Sequence, residues 1–171
     1  MSRKAYTEIN LHMTWHVKDD PPVLRDEIET QVHRTLRGQA IDEPGVFLHE
    51  IGGTDDHVHL VVTIPPTVLI SEWIGQLKGS SSHYINHHVA NRKALEWQSK
   101  YGVVSFGTKD LPWVVEYVRG QREHHAKGKT HERRSGPRSR TRGSPLKRAA
   151  HKYIRDKQFV AVPQPGLKGR V

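Results

Sequence analysis

The order of strand-like and helix-like segments is the feature that most limits the folds open to this chain. Apolar and polar side chains alternate where a strand is expected, and apolar side chains repeat at helical spacing where a helix is expected. Strand-like segments lie at 6–17, 44–51, 57–64 and 102–107, and helix-like segments lie at 23–37 and 70–88. The order β-α-β-β-α-β is typical of a ferredoxin-like α+β fold, an antiparallel sheet with helices on one face.

Turn and capping residues set the expected ends of these segments. Residues 19–22 (DDPP) supply a cap and prolines for a helix start, and Gly38 is expected to end that helix. Residues 52–56 (GGTDD) predict a turn, and Pro65-Pro66 ends the strand that follows it. A further helix, added to the core fold, is expected from Leu111 to Lys127.

The positive charge of the chain is concentrated in its last quarter. Residues 127–171 carry 14 Lys+Arg against two acids, whereas residues 1–126 carry 13 Lys+Arg against 16 acids. We therefore predict a folded domain over 1–128 and a basic, flexible tail over 129–171, with one helix-like stretch at 146–159. The tail is either a plain solvated arm or an arm that binds nucleic acid through its phosphates.

Composition excludes several kinds of site and partner. The chain has no cysteine, so disulfides and thiolate metal sites are ruled out, and any metal must use nitrogen or oxygen ligands. No apolar run approaches the roughly 20 residues that span a bilayer, and residues 1–11 do not resemble a signal peptide. No P-loop or other nucleotide motif is present. We therefore expect a cytoplasmic protein with no membrane partner and no nucleotide cofactor.

Two histidines on one predicted strand form a candidate metal site. His57 and His59 project from the same face of the strand about 7 Å apart, close enough to share one ion. Val58, Leu60 and Val62 point to the opposite face, as a buried face would. With 13 histidines in the chain, about one His-x-His triplet is expected by chance, so ordinary surface histidines are the alternative.

A tyrosine and a glutamine are neighbours on the predicted final helix. Tyr117 and Gln121 are four residues apart and share one face, and His124 follows on the same stripe as an accessory candidate. One interpretation is an amphipathic helix whose tyrosine packs on the core. The polar run 121–125 favours a reactive tyrosine instead, since a tryptophan and two valines already supply an apolar face.

These residue types suit cleavage of a phosphodiester through a covalent intermediate. A divalent cation held by two imidazoles and an amide oxygen would neutralise the phosphate and keep positions open for its oxygens. A phenol, with a pKa near 10, needs such a cation to become a nucleophile. The resulting phosphotyrosine keeps the bond energy, so resealing would need no ATP. Tyr117 is thus the candidate nucleophile, and His57, His59 and Gln121 are the candidate metal ligands.

Several motifs occur in the order found in one known family. They are EIGGTDDHVHLVVTIPP at 50–66, LKGSSS at 77–82 followed by Ile85-Asn86, WQ and YG within 97–105, and YVRGQ at 117–121 followed by His124-His125. Over about residues 6–127 the chain resembles the single-tyrosine HUH transposases of the insertion-sequence-200 type, which include relatives associated with repetitive extragenic palindromes. HUH denotes His, hydrophobic residue, His. Gly120 departs from the pattern, since the family often has Asn there.

The resemblance implies an enzyme that cuts and rejoins single-stranded DNA at hairpin-flanked element ends with Mg²⁺ or Mn²⁺. By position, Tyr117 would form a 5′-phosphotyrosine and leave a free 3′-OH, while His57, His59 and Gln121 would hold the metal. Members are typically homodimers. In many, the tyrosine helix of one subunit completes the site of the other, and the sequence leaves a cis or a trans arrangement open. Such a protein would be associated with the nucleoid when it is bound to DNA.

Other polar residues are candidate DNA contacts. On the second helix these are Lys78, Ser80, Ser81 and Ser82, and beside the tyrosine they are Arg119 and Arg122. A solvated helix surface is the alternative for each of them.

Three alternatives to a mobile transposase stay open. One is a domesticated relative that processes chromosomal palindromic repeats by the same chemistry. Another is a hairpin-binding protein that has lost catalysis, although such a protein need not keep the tyrosine, both histidines and the glutamine. The third is an RNA-binding domain, since ferredoxin-like sheets also bind RNA.

Overall fold

The computed structural model of the protein describes residues 6–121. The strands are β1 (Ile9–His16), β2 (Phe47–Gly53), β3 (His57–Ile64) and β4 (Gly102–Phe106), and the α-helices are α1 (Asp26–Asp42), α2 (Ile70–Tyr84) and α3 (Leu111–Arg119). A π-helical turn, Ile85–Val89, continues α2, and a 3-10 turn, Thr108–Asp110, precedes α3. This order confirms the predicted β-α-β-β-α-β arrangement with an added helix.

The strands form one antiparallel sheet in the order β2-β3-β1-β4. β1 and β3 are the central pair and match along their whole length, from Ile9 opposite Ile64 to His16 opposite His57. This strand order confirms the ferredoxin-like α+β fold.

One face of the sheet carries the main hydrophobic core. Because side chains alternate along a strand, every second residue of β1 and β3 points to this face. Helices α1 and α2 cover it, and each fully buried aliphatic side chain contributes roughly 1.5–3 kcal/mol to folding. The buried side chains at this interface include Leu11, Met13 and Trp15 of β1, Val58, Leu60 and Val62 of β3, Val32 and Leu36 of α1, and Trp73, Ile74 and Leu77 of α2.

The opposite face is polar along its centre and is covered by α3. The remaining residues of the two central strands point to it: Asn10, His12, Thr14 and His16 of β1, and His57, His59, Val61 and Thr63 of β3. A small apolar cluster of Val61, Phe106, Val114 and Val118 holds α3 on this face. The helices predicted on one face are thus α1 and α2, and the added helix takes the other face.

Helix α1 runs through Gly38, where the sequence predicted its end, so that prediction was wrong. The helix begins at Asp26 and reaches Asp42, and Ala40 is fully buried in its last turn. The packing of that turn outweighs the cost of about 1 kcal/mol that a glycine imposes inside a helix. The helix ends just before Pro44, because a proline disfavours the helical backbone conformation in the residue that precedes it.

Strand β2 extends through Gly52 and Gly53, which the sequence assigned to a turn. Gly52 lies opposite His59, and Gly53 lies opposite Val58. A Cβ atom at Gly52 would overlap the backbone carbonyl oxygen of Val118 in α3. Glycine at this position therefore lets the backbone of α3 approach the sheet.

Helix α3 is interrupted at Gly120, its C-cap, and Gln121 is again helical; the sequence predicted one helix as far as Lys127. Glycine is among the least favourable residues inside a helix, which accounts for the interruption at this point. The rest of that predicted helix, with Arg122 and His124, lies outside the described residues, as does the basic tail at 129–171. In the part that the structure describes, no helix is long and apolar enough to cross a membrane.

Replacing Gly52 by alanine should detach α3 from β2. The added methyl group would overlap a backbone atom of α3, so we expect the free energy of unfolding to fall by about 1–3 kcal/mol. Gly79→Ala is the matched control, since nothing lies within 4 Å of a Cβ there and the glycine is inside α2. The control should stabilise the protein by up to about 1 kcal/mol. Urea denaturation measures both, and equal stability of the two variants would contradict the close approach of α3.

Candidate active site

Four histidines, His16, His57, His59 and His12, form a row across the central strands on the face covered by α3; we call them the histidine row. The rings of His16 and His57 stack with centroids 4.7 Å apart. His57 meets His59 edge to face at 4.8 Å, and His59 stacks on His12 at 5.0 Å. The strand register produces the row, since Thr14 lies opposite His59 and His16 lies opposite His57. His57 and His59 share one face, as the sequence predicted.

His57 is held through its Nδ1 atom. Asp56 Oδ1 lies 2.6 Å from this nitrogen, and Thr54 Oγ1 lies 2.9 Å from it. The hydrogen bond from His57 holds the pKa of Asp56 well below its usual range, although burial opposes the shift. Because an ionised carboxylate can only accept, the proton of His57 sits on Nδ1, and Nε2 is the nitrogen suited to bind a metal.

His59 is held in a similar way by a second imidazole. Its Nδ1 atom lies 2.9 Å from Nε2 of His12, and both side chains are buried. Burial lowers the pKa of His12 to about 4. The ring of His12 is therefore neutral at neutral pH, and one of its nitrogens can accept a hydrogen bond.

Tyr117 reaches the histidine row from α3. Its ring centroid lies 6.2 Å from that of His12 and 6.4 Å from that of His59, and both contacts are edge-on. Trp113, one turn earlier, stacks on the tyrosine ring at 5.7 Å. Burial raises the pKa of Tyr117, and a hydrogen bond from the Gln121 side chain opposes this shift. The phenol is therefore protonated at neutral pH.

Gln121 is almost completely buried beside the tyrosine, with 2% of its surface exposed. Its amide nitrogen donates to the backbone carbonyl oxygen of Tyr117 over 3.2 Å. That bond orients the amide group, whose oxygen has the acceptor capacity that a hard cation needs. The structure thus confirms that Tyr117 and Gln121 are neighbours, although the regular helix is interrupted between them.

The donor set fits a divalent cation. The separation of 4.8 Å between the rings of His57 and His59 allows two metal–nitrogen bonds of about 2 Å to one ion. Two imidazole nitrogens and an amide oxygen occupy only part of a coordination shell, so phosphate oxygens can take the other positions.

A second group of candidate ligands shares one member with this pair. Single ligand atoms of His16, Asp56 and His57 all lie within 4.8 Å of one another. His16 is also tied to Asp20, whose Oδ1 atom lies 3.0 Å from Nδ1. The group brings a carboxylate, the ligand that Mg²⁺ prefers, to the edge of the histidine row.

Lys78, a candidate DNA contact, holds a loop of its own chain in this structure. Its Nζ atom donates to the backbone carbonyl oxygens of Gln98, Ser99 and Lys100 at 3.0, 3.4 and 2.9 Å. Burial lowers the pKa of Lys78 to about 8. The Nζ atom also lies 5.3 Å from the centre of the Tyr101 ring, a favourable cation–π distance.

The three serines after Lys78 bond within their own helix. Ser80, Ser81 and Ser82 each donate to backbone carbonyl oxygens three or four residues earlier. Ser81 is fully buried and accepts a hydrogen bond of 2.9 Å from the indole nitrogen of Trp97, so it belongs to the core. Ser80 and Ser82 are half-buried, and their predicted contact with DNA stays a prediction.

Arg119 links α3 to β2. Its Nε and Nη2 atoms both donate to Oε2 of Glu50, at 2.9 and 2.7 Å. The side chain of Arg119 is nonetheless 71% exposed, so a phosphate can still reach its other guanidinium nitrogen.

Comparison with known proteins decides the family. The family model described as "Transposase IS200 like" matches residues 5–121, the part of the chain that carries the fold and the histidine row. The chain belongs to the IS200-like transposase family. No curated protein sequence matches this member of the family.

Two solved structures share the fold of this IS200-like chain. A proposed transposase from Deinococcus radiodurans R1 aligns with a TM-score of 0.56 and 21% identity, over 71% of this chain and 96% of that one. A structure described as the REP-associated tyrosine transposase bound to a REP hairpin aligns with a TM-score of 0.54 and 17% identity, over 73% of each chain. At these identities the likeness concerns the fold alone.

Sequence reasoning missed three residues that lie beside the candidate ligands of this family member: His12, His16 and Asp56. The signal was present in β1, where Asn10, His12, Thr14 and His16 occupy every second position opposite the apolar ones. Alternating apolar residues predict a strand, and the residues between them are those on the other face of the sheet. Asp56 was assigned to a turn, and its carboxylate in fact binds His57.

Replacing Lys78 by methionine should destabilise this IS200-like domain. Three carbonyl groups would lose their charged donor, so we expect the free energy of unfolding to fall by about 1–3 kcal/mol. Lys93→Met is the control, because that side chain is 77% exposed and pairs only with Glu96 among the described residues. Unfolding curves give the stability, and fluorescence anisotropy gives the affinity for single-stranded DNA. Unchanged stability with weakened DNA binding would make Lys78 a DNA contact instead.

Proposed function

We propose that this protein is a metal-dependent single-strand DNA transposase that acts through Tyr117. The observation that carries the proposal is the position of Tyr117. Its ring lies edge-on to the buried ring of His59, and its backbone accepts a hydrogen bond from the buried Gln121. A nucleophile and an amide at the end of α3 thus lie near two imidazoles of β3, from a separate segment of the sequence. Membership of the IS200-like family supports the same assignment.

In the proposed reaction, the phenol oxygen of Tyr117 attacks the phosphorus of a phosphodiester in single-stranded DNA. The bond from phosphorus to the 3′ oxygen breaks, and a 5′-phosphotyrosine and a free 3′-OH result. The phenol loses its proton, and the departing 3′ oxygen gains one. Attack by a 3′-OH on the phosphotyrosine reverses the step and joins strands without ATP.

The residues of this chain divide the work. His57, His59 and Gln121 would hold the metal, and Tyr117 would supply the attacking oxygen. The hydrogen bond from Gln121 favours the ionised form of Tyr117, whereas burial favours the phenol. When bound, Mg²⁺ or Mn²⁺ would supply the positive charge that offsets burial and neutralises the phosphate.

The proposed substrate is single-stranded DNA that carries a hairpin, and the proposed assembly is a homodimer. One solved structure with this fold is described as bound to a REP hairpin, which supports a DNA hairpin as the ligand. The strongly basic segment 127–171 offers a further contact to phosphates. A domesticated relative would use the same residues and the same chemistry on chromosomal repeats.

Tyr117→Phe should abolish formation of the covalent protein–DNA adduct, by at least about a thousandfold, because the attacking oxygen is gone. Binding of a labelled DNA hairpin should stay unchanged, since the ring and its contacts with Trp113 and His59 remain. The assay is a denaturing gel of labelled single-stranded DNA from the end of the element, read together with a native binding gel.

Tyr84→Phe is the matched control, because that tyrosine is exposed on α2, away from the histidine row. The control should form the adduct as the wild type does. If the wild type forms no adduct on a cognate strand but binds the hairpin, the non-catalytic alternative is correct. Preference for a matched RNA hairpin would favour the RNA-binding alternative.

Metal removal provides a separate test of the ligand set. EDTA should abolish adduct formation, and added Mn²⁺ should restore it. Gln121→Ala and His59→Ala should weaken Mn²⁺ binding at least about tenfold, since even the groups that only support metal ligands contribute this much. Isothermal titration measures the affinity, and unfolding curves check that the variants fold. Full Mn²⁺ affinity in both variants would contradict the assignment and favour the group of His16, Asp56 and His57.

A further inference from the structure

We propose that His12 is a positioning residue that fixes the ring orientation of His59 and accepts a hydrogen bond from its Nδ1 atom, so that Nε2 of His59 is presented to the metal. The inference rests on the proposed function, because it assumes that His59 is a metal ligand. It assigns a role to a residue of β1 that lies 47 positions before the histidine it acts on.

The contact between the rings of His12 and His59 is short and buried, and both a hydrogen bond and ring stacking constrain it. Nε2 of His12 lies 2.9 Å from Nδ1 of His59, and the rings are stacked with an interplanar angle of 24°. His59 is 1% exposed and His12 is 8% exposed, so water is a poor substitute for either partner. The pairing of β1 with β3 fixes both backbones, which leaves the rings little freedom to separate.

The tautomer follows from the chemistry of imidazole. A neutral ring has one N–H donor and one acceptor nitrogen, and a hydrogen bond between two neutral rings needs one of each. If His59 donates from Nδ1, its Nε2 carries the lone pair that binds a cation. If His12 donates instead, the proton of His59 sits on Nε2 and blocks coordination. Metal binding therefore requires His12 to accept, with its own proton on Nδ1.

The other proposed ligand, His57, has a hydrogen-bond partner that permits only one tautomer. His57 donates from Nδ1 to Asp56, a carboxylate that only accepts, so its tautomer is set before any metal arrives. His12 can either accept or donate, so it gives His59 the correct orientation and permits both tautomers. The two proposed ligands thus differ: the tautomer of His57 is fixed by Asp56, whereas the tautomer of His59 is selected when a metal binds.

The position of His12 argues against a purely structural role. It points to the face that carries Tyr117, whose ring centroid is 6.2 Å away, and not to the hydrophobic core. A leucine there would fill similar space without an acceptor. Burial removes the hydration of an imidazole, and a hydrogen bond must replace it. A residue that served only packing would therefore be less costly as an apolar side chain.

Two variants separate the role of the acceptor from the role of packing. His12→Leu removes the acceptor, and His12→Gln places an amide oxygen near the position of the former Nε2 atom. His49→Leu is the control, because that histidine also bonds across the sheet, to Thr63 at 2.7 Å, but lies outside the histidine row. Mn²⁺ affinity is measured by isothermal titration on the full-length protein, and unfolding curves accompany every variant.

We expect His12→Leu to weaken Mn²⁺ binding by about 10–100-fold, as removal of supporting partners usually does. His12→Gln should recover most of the affinity, and His49→Leu should bind as the wild type does. Equal loss in the leucine and glutamine variants would overturn the proposal, as would wild-type affinity in a folded His12→Leu variant.

Nitrogen NMR of the wild type tests the tautomer without any substitution. On addition of diamagnetic Mg²⁺, the ring of His59 should show a proton on Nδ1 and a metal-shifted Nε2. A ring with its proton on Nε2 in the metal-loaded protein would overturn the proposal. If the wild type binds no divalent cation and forms no DNA adduct, the proposed function fails and this inference fails with it. An intact adduct and intact Mn²⁺ binding in His12→Leu would defeat this inference alone.

Discussion

The antiparallel pairing of β1 with β3 is the interaction on which the rest of the structure depends. Its register, from Ile9 opposite Ile64 to His16 opposite His57, decides which side chains meet on each face. On one face this pairing presents an apolar surface to α1 and α2. On the other it aligns the histidine row. A slip of one residue would send the two histidines of the shifted strand into the apolar core and its core residues to the opposite face, so the core and the site fix the register together.

The added helix is the second requirement, because it alone brings Tyr117 to the histidines. Three kinds of contact hold it: the close backbone approach at Gly52, the apolar cluster around Val118, and the bond from Arg119 to Glu50. All three lie within a turn of the tyrosine. In the described chain the helix therefore meets the sheet that precedes it in the same subunit. The position of Tyr117 depends on glycine as much as on any polar residue, since a side chain at 52 would push the helix away.

Much of the fold could be predicted from the sequence, because period-2 and helical patterns report burial directly. The strand order followed from the element order, and the neighbourhood of Tyr117 and Gln121 followed from their spacing. The ends of α1 and β2 could not be predicted. The sequence predicts that Gly38 ends α1, yet the burial of Ala40 stabilises the helix beyond it. Gly52 has the residue type of a turn, but glycine is required there because the backbone of a distant helix lies against it. Local chemistry does not report such long-range contacts. For the same reason His12 was missed: its partner lies on another strand.

The polar face also explains why the site is ordered before any ligand arrives. A buried imidazole or amide without a hydrogen bond costs on the order of 1–3 kcal/mol, so each such group must bond to another. His57 bonds to Asp56, His59 to His12, and Gln121 to the backbone of Tyr117. Removing a partner weakens the hydrogen bonding of a buried group, which ties the stability of this face to the geometry of the site. A metal and a DNA strand would then meet groups whose orientation folding has already fixed, and little reorganisation would remain for the reaction itself.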